Sequence, residues 1–299
     1  MSRLALTLLA SLLALPSLGV DPHARPKIYS IGFVRLKATD FDKSNGFYEK
    51  FLGLNRGFDD CHGITDPCYA INPYQHVELS QTGSRGSDNF VEAIGFNVSD
   101  VEQMQKYLAS RVIPTSAVTR GPNHLRFIEA LDPEGNRIAF VQLSGGDAQA
   151  NGMGQVSDRL IHAGFIVKDR AAEDHFYKEL LGFRPYWHGG MKDDETTWVS
   201  LQVPDGSDWL EYMLYDSAGK DKHFLGVMNH IALGVTDIQA AKVQLIKNGW
   251  KPTEEPKLGR DGKWQLNLYD PDDTRVEFME FTPKEKPCCS EFTAPHPKP

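Results

Sequence analysis

The sequence predicts an α+β protein made of four copies of one unit, grouped as two domains. Three observations point there. The stretch "FYEKFLG" at 47–53 returns as "FYKELLG" at 176–182, each ending thirteen residues after an aspartate, Asp40 and Asp169. Two shorter segments, "VSDVEQMQKYLAS" after Asn97 and "VTDIQAAKVQLIKNG" after Gly234, again run from an apolar strand through an aspartate into an amphipathic pattern. Both pairs close on matching hairpin sequences, "DPEGNRIAFVQL" at 132–143 and "DPDDTRVEFMEF" at 270–281.

In chain order, each unit reads as a strand, a capped helix and further strands. Asp40 and Asp169 suit helix N-caps, because a short side-chain carboxylate can accept from the free N–H groups of the first turn. Gly53 and Gly182 suit helix stops, where a left-handed residue is required. Between them Phe47, Tyr48, Phe51 and Leu52, or Phe176, Tyr177, Leu180 and Leu181, form one apolar face. The Asp-Pro pairs before the last strands predict tight turns. The segment 144–157, rich in glycine and small polar residues, reads as a linker between domains at 28–143 and 158–282. The tail 283–299 is Pro-rich without apolar periodicity, and a loosely draped or disordered segment is expected.

With 299 residues, 40% hydrophobic and 24% charged, the chain has the composition of a folded globular protein. Its net charge of −8, with no basic stripe, excludes nucleic acid as a partner. The start, "MSRLALTLLASLLALPSLG", has a basic first residue pair, a short apolar run and small residues, so residues 1–19 read as a cleavable export signal and the mature chain is expected to begin near Val20. A periplasmic or secreted protein with no membrane span after processing follows. Cys61, Cys68, Cys288 and Cys289 suit an oxidising compartment. Cys61 and Cys68 are placed to close a small loop, the adjacent tail pair would be strained if bonded to itself, and a zinc site from the four lacks the usual spacing.

Two histidines stand out. His162 in "LIHAGFIVKD" and His230 in "NHIALGVTD" sit in apolar strands, each seven residues before a capping aspartate. One such histidine is ordinarily a hydrogen-bonded core residue. Two at matching places in a repeat suggest a shared role.

On these repeats, over residues 28–282, the chain is identified as a member of the vicinal oxygen chelate superfamily, which includes glyoxalase I, extradiol dioxygenases, bleomycin and fosfomycin resistance proteins and methylmalonyl-CoA epimerase. The resemblance implies βαβββ modules that pair into a curved sheet, a cup around a divalent metal, with ligands from the first and last strands of each module. Those positions fall on His162, Glu211 in "DWLEYML", His230 and Glu277 in "TRVEFME". All four are ligand types, and four buried ionisable groups without a cation would be costly. The matching positions of the first domain are Phe33, Glu78, Ala93 and Ala139, so even with His76 beside Glu78 this domain is expected to hold no metal and to serve as structure or to shape the substrate site.

A His₂Glu₂ site with open positions can bind neighbouring oxygens and stabilise charge developing on them. The resemblance to glyoxalase I makes Glu277 the expected proton shuttle and Glu211 its counterpart, in an exported lyase or isomerase acting on a small molecule with neighbouring oxygens. The bound ion could be nickel, zinc, iron, manganese or cobalt. An extradiol ring-cleaving dioxygenase is the alternative, with His162, His230 and Glu277 as an iron triad. Asn267 stands where such enzymes carry a tyrosine, although Tyr269 is close by. A non-catalytic binding protein of the bleomycin-resistance type is a third reading. Trp187, His188, Trp198, Trp209, Arg260 and Trp264 are candidates for the cup mouth, with His188 as a second acid–base group, and Asp193, Asp194 and Glu195 read as a solvated turn.

Overall fold

A computed structural model describes residues 24–57, 67–82, 90–121, 125–142 and 152–299. The expected signal at 1–19, the start at Val20, Cys61 and most of the linker lie outside these residues. Among the described residues no helix is long and apolar enough to cross a membrane.

Two eight-stranded sheets carry the predicted pairing of modules. The first comprises β1 (Ile28–Ala38), β2 (Asn55–Arg56), β3 (Cys68–Asn72), β4 (Gln75–Gln81), β5 (Val91–Val98), β6 (Thr119–Arg120), β7 (Arg126–Leu131) and β8 (Arg137–Gln142), in the order β2-β3-β4-β1-β5-β8-β7-β6. The second comprises β9 (Leu160–Ile166), β10 (Arg184–Gly189), β11 (Trp198–Gln202), β12 (Trp209–Met213), β13 (His230–Val235), β14 (Lys257–Leu258), β15 (Trp264–Tyr269) and β16 (Arg275–Glu280). Its order, β10-β11-β12-β9-β13-β16-β15-β14, repeats the first. In each sheet the first strands of the two modules are antiparallel neighbours at the centre, flanked by the last strands of the modules in parallel. The four strand types expected to carry ligands therefore lie side by side.

The helices begin where the sequence places them. Asp40, Asp100, Asp169 and Asp237 each accept from a backbone N–H of the first turn, starting α1 (Phe41–Asn45), α2 (Val101–Ser110), α3 (Arg170–Asp174) and, after an additional α4 (Lys222–Met228), α5 (Ile238–Lys247). The spacing alone does not announce that α1 and α3 continue as π-helical turns, Gly46–Phe51 and His175–Leu180. The wider turn lets two consecutive aromatics, Phe47 and Tyr48 or Phe176 and Tyr177, both be buried. Gly53 and Gly182 then leave the helix with φ of 71° and 79°.

The repeated Tyr and Asp-Pro motifs meet across the domains rather than within them. The Tyr48 hydroxyl donates to Asp270 and the Tyr177 hydroxyl to Asp132, at 3.0 and 3.3 Å. Asp272 accepts from the backbone N–H and hydroxyl of Thr39, and Glu134 from the N–H groups of Lys168 and Asp169. Each long-module helix thus starts on the hairpin turn of the other domain. At the centre, Gln75 Nε2 donates to the carbonyls of Ile31 in β1 and Leu160 in β9, tying the two sheets together.

The tail departs from expectation. Beyond β16 it runs as an ordered strap: Lys284 and Glu285 donate to the Gly262 carbonyl and Cys288 to that of Arg260, beside β14 and β15. Further on, Ser290 bonds both the N–H and carbonyl of His188, and Thr293 donates to Tyr186. It therefore joins the two edges of the second sheet. Unsatisfied backbone groups along an edge strand offer bonds that a chain without apolar periodicity can still take. Cys288 and Cys289 are disulfide-bonded to each other, contrary to expectation, and Cys68 is also disulfide-bonded. Oxidised tail cysteines supply no thiolates, which removes the zinc alternative.

Candidate metal centre

Strand register brings the four predicted donors together. His162 in β9 lies beside Ala232 of β13, which in turn faces Glu277 of β16, and His230 opens β13 opposite Gly164. Glu211 in β12 is paired with the same Gly164. This residue must be a glycine: a Cβ there would stand 2.0 Å from the His230 ring.

The Nε2 atoms of His162 and His230 are 3.0 Å apart. A Glu211 oxygen lies 3.2 Å from His230 Nε2 and 4.0 Å from His162 Nε2, and a Glu277 oxygen 3.7 and 4.0 Å from the same two atoms. Both imidazoles are fully buried and Glu277 is nearly so. His230 Nδ1 faces the Met228 carbonyl at 3.3 Å, an acceptor that keeps the proton on Nδ1 and frees Nε2 as a lone pair. His162 Nδ1 and Glu277 Oε1 are buried without a hydrogen-bond partner.

Burial dominates the electrostatics. It holds both imidazoles well below their ordinary pKa, an effect that the nearby Arg275 reinforces, so they are neutral at physiological pH. Burial also pushes Glu277 up to about 7, with Arg275 opposing and Glu211 adding to the rise. Neutral imidazole nitrogens and carboxylate oxygens converge with too few protons among them to bond one another. A divalent cation fits this donor set.

Beside the donors opens a pocket of 570 Å³, lined among others by Trp187, Trp198, Trp209, Arg260, Arg275 and Phe292. Three of the predicted mouth tryptophans thus belong to it. Trp264 instead packs against the main core, and His188 is exposed on the far side of β10, under the strap, which removes it as an acid–base group. Asp193 and Asp194 are exposed in a turn, Asp193 pairing with Arg260. Tyr269 lies against His223, away from the pocket lining.

Sequence reasoning missed Arg275, Lys263 and Phe292. Arg275 shares a strand face with Glu277 by the two-residue period, a signal that was there to be read. Lys263 is fully buried, its ammonium 4.6 to 5.4 Å from the ring centres of Trp209, Phe292 and Tyr186. Burial lowers it to about 8, while Asp261, Glu277 and Glu211 oppose the shift. Nothing local in "DGKWQ" marks that lysine as internal.

Residues 159–278 match the family described as the Glyoxalase/Bleomycin resistance protein/Dioxygenase superfamily. The chain belongs to this superfamily through its second domain. Solved structures of the superfamily's extradiol enzymes share the fold across both domains. A variant of homoprotocatechuate 2,3-dioxygenase from Brevibacterium fuscum, in complex with HPCA, is 19% identical with a TM-score of 0.65, over 86% of this chain and 72% of that one. The complex of the same enzyme with 3,4-dihydroxyphenylacetate is 18% identical with a TM-score of 0.62, over 86% and 82%. A room-temperature structure of an extradiol ring-cleaving dioxygenase from B. fuscum gives 18% and 0.62, over 86% and 73%. No curated protein matches the sequence.

Proposed function

We propose that the protein is a metal-dependent enzyme of the glyoxalase-like lyase or isomerase type, moving a proton on a small molecule with two neighbouring oxygens. The observation that carries this reading is the convergence of two neutral imidazoles and two carboxylates at the wall of one pocket. A divalent ion, when bound, would be held by Nε2 of His162 and His230 and by Glu211 and Glu277, and would supply positive charge to the substrate oxygens.

The chain's own groups do the rest. Glu277, pushed up to about 7, can hold or release a proton near neutral pH, and its unpartnered Oε1 is the atom that would carry it. Arg275, 3.8 Å away, favours the charged form and so keeps the proton transferable. Trp198, Trp209 and Phe292 keep water from the reacting atoms.

Exchange into solvent tests this directly. Metal-loaded protein with 2-hydroxyacetophenone in deuterium oxide should label the carbon beside the carbonyl, equally under air and nitrogen. Glu277→Gln should keep metal and lose most of the exchange. Labelling no faster than with the free ion would sink the proposal. Ring-cleaving dioxygenase activity is the second reading, favoured by the shared two-domain fold; oxygen uptake with a catechol by the iron-loaded protein would select it. Export belongs to the same proposal, and an intact Met1 in protein from outside the cytoplasm would refute it.

A further inference from the structure

The pocket is lined by side chains whose hydrogen-bonding groups are unspent. Trp198 Nε1, Trp209 Nε1 and Arg275 Nε are buried donors without partners. Arg275 is the most anomalous of them. Its side chain is 14% exposed, its guanidinium makes no hydrogen bond among the described residues, and the nearest carboxylate is Glu277 at 3.8 Å. A planar fork of N–H donors left this way is expensive unless a ligand completes it.

The other cations of the pocket are engaged. Arg260 pairs with Asp193 and donates to the Gly190 carbonyl, and Lys257 lies 3.7 Å from Glu254. Arg275 differs because its one acidic neighbour is itself a candidate metal ligand. Once Glu277 shares its charge with a cation, the guanidinium is left as an unmatched positive charge in a largely enclosed place. Its fork geometry matches a carboxylate. The unpartnered acceptors on the same wall, Glu277 Oε1 and Asn267 Oδ1, call for a hydroxyl on the ligand, and the indole rings call for a flat apolar body.

We propose that the pocket takes a flat hydroxylated carboxylic acid, whose adjacent oxygens face the His162–Glu211–His230–Glu277 donors and whose carboxylate is clamped by Arg275. This rests on the reading of those four residues as a cation site, and it names the ligand class without depending on the reaction performed there.

Binding tests it without turnover. The zinc-loaded full chain, followed by quenching of its tryptophan fluorescence, should bind 3,4-dihydroxybenzoate at least tenfold more tightly than its methyl ester, which keeps both hydroxyls and loses only the charge. Arg275→Gln, with zinc content checked, should bind acid and ester alike, at the affinity the unaltered protein shows for the ester. Arg275→Lys should recover part of the preference. Equal binding of acid and ester by the unaltered protein overturns the proposal, as does binding of neither, or a preference that survives Arg275→Gln. None of these results touches deuterium exchange at Glu277, so loss of the carboxylate clamp and loss of the proton-transfer reading are separate failures.

Discussion

The cup of the first domain and the cup of the second share one strand layout, and they answer the same electrostatic problem differently. At matching register the second has His162, Glu211, His230 and Glu277, while the first has Phe33, Glu78, Ala93 and Ala139. The exchange is coupled across neighbouring strands. Where His230 faces Gly164, Ala93 faces Arg35, so the large group moves from one strand to the next. The Arg35 guanidinium sits 2.8 Å from Glu78, and both are buried. His76 reaches the other Glu78 oxygen at 3.0 Å. A carboxylate inherited in an apolar cup thus has a cation of the chain's own, in place of one drawn from solution. The lesson is that a degenerate metal site need not become apolar; it needs charge balance.

The largest expected effect is on metal content. His162→Ala together with His230→Ala should take bound metal from about one ion per chain to none, while Glu78→Ala leaves it unchanged in the folded fraction; elemental analysis of purified protein reads both. A chain that keeps its metal without the two histidines would place the site elsewhere.

Next comes the internal pair. Arg35→Met strands Glu78 in an apolar cup and should cost about 3–5 kcal/mol, much of it recovered by adding Glu78→Leu. Denaturant titration of the single and double variants measures the coupling. Additive losses would show that the pair is not what balances the cup.

Gly164→Ala forces a methyl group into the His230 ring and should cost about 1–3 kcal/mol through overpacking, with weakened metal retention. Gly32→Ala, in the first domain, should not affect metal at all. Competition with a chelator during thermal melting separates the two effects.

The smallest effect compares the long-module helices, where Ser44 and Glu173 each stand four residues after the capping aspartate. Glu173 is buried, and burial with Asp132 nearby pushes it up to about 8. The folded state therefore holds a proton that the unfolded state gives up above its ordinary pKa. Stability from this group is complete at low pH and lost as pH rises through about 8. Glu173→Gln should match the unaltered protein near the acid end of that window and exceed it, by about 1–3 kcal/mol, at its alkaline end. Melting curves at the two ends decide; a difference that does not vary with pH would assign the effect to packing.

The repeats, the helix caps, the glycine stops and all four donors were legible because each is local or recurs at a fixed interval. Other features depend on partners far along the chain. Arg35 reads as an ordinary exposed strand residue until Glu78, a strand away in the register, is placed beside it. Lys263 is internal only because Tyr186, Trp209 and Phe292 surround it, and Phe292 comes from a segment with no periodicity to predict its course. The π-helical turns were hidden because two adjacent buried aromatics fit equally well on a broad α-helical face.

The crossed docking of helices on hairpins bears on how the chain can come apart. Asp270 and Asp272 hold the start of the first domain's long helix, and Asp132 and Glu134 hold that of the second. Neither half therefore owns all the partners of its own elements, and a half-molecule cut at the linker would leave buried hydroxyls and helix starts without acceptors. Duplication has here produced two recognisable domains that unfold as one cooperative unit, so heat or denaturant should dismantle the metal centre and the metal-free cup in a single transition.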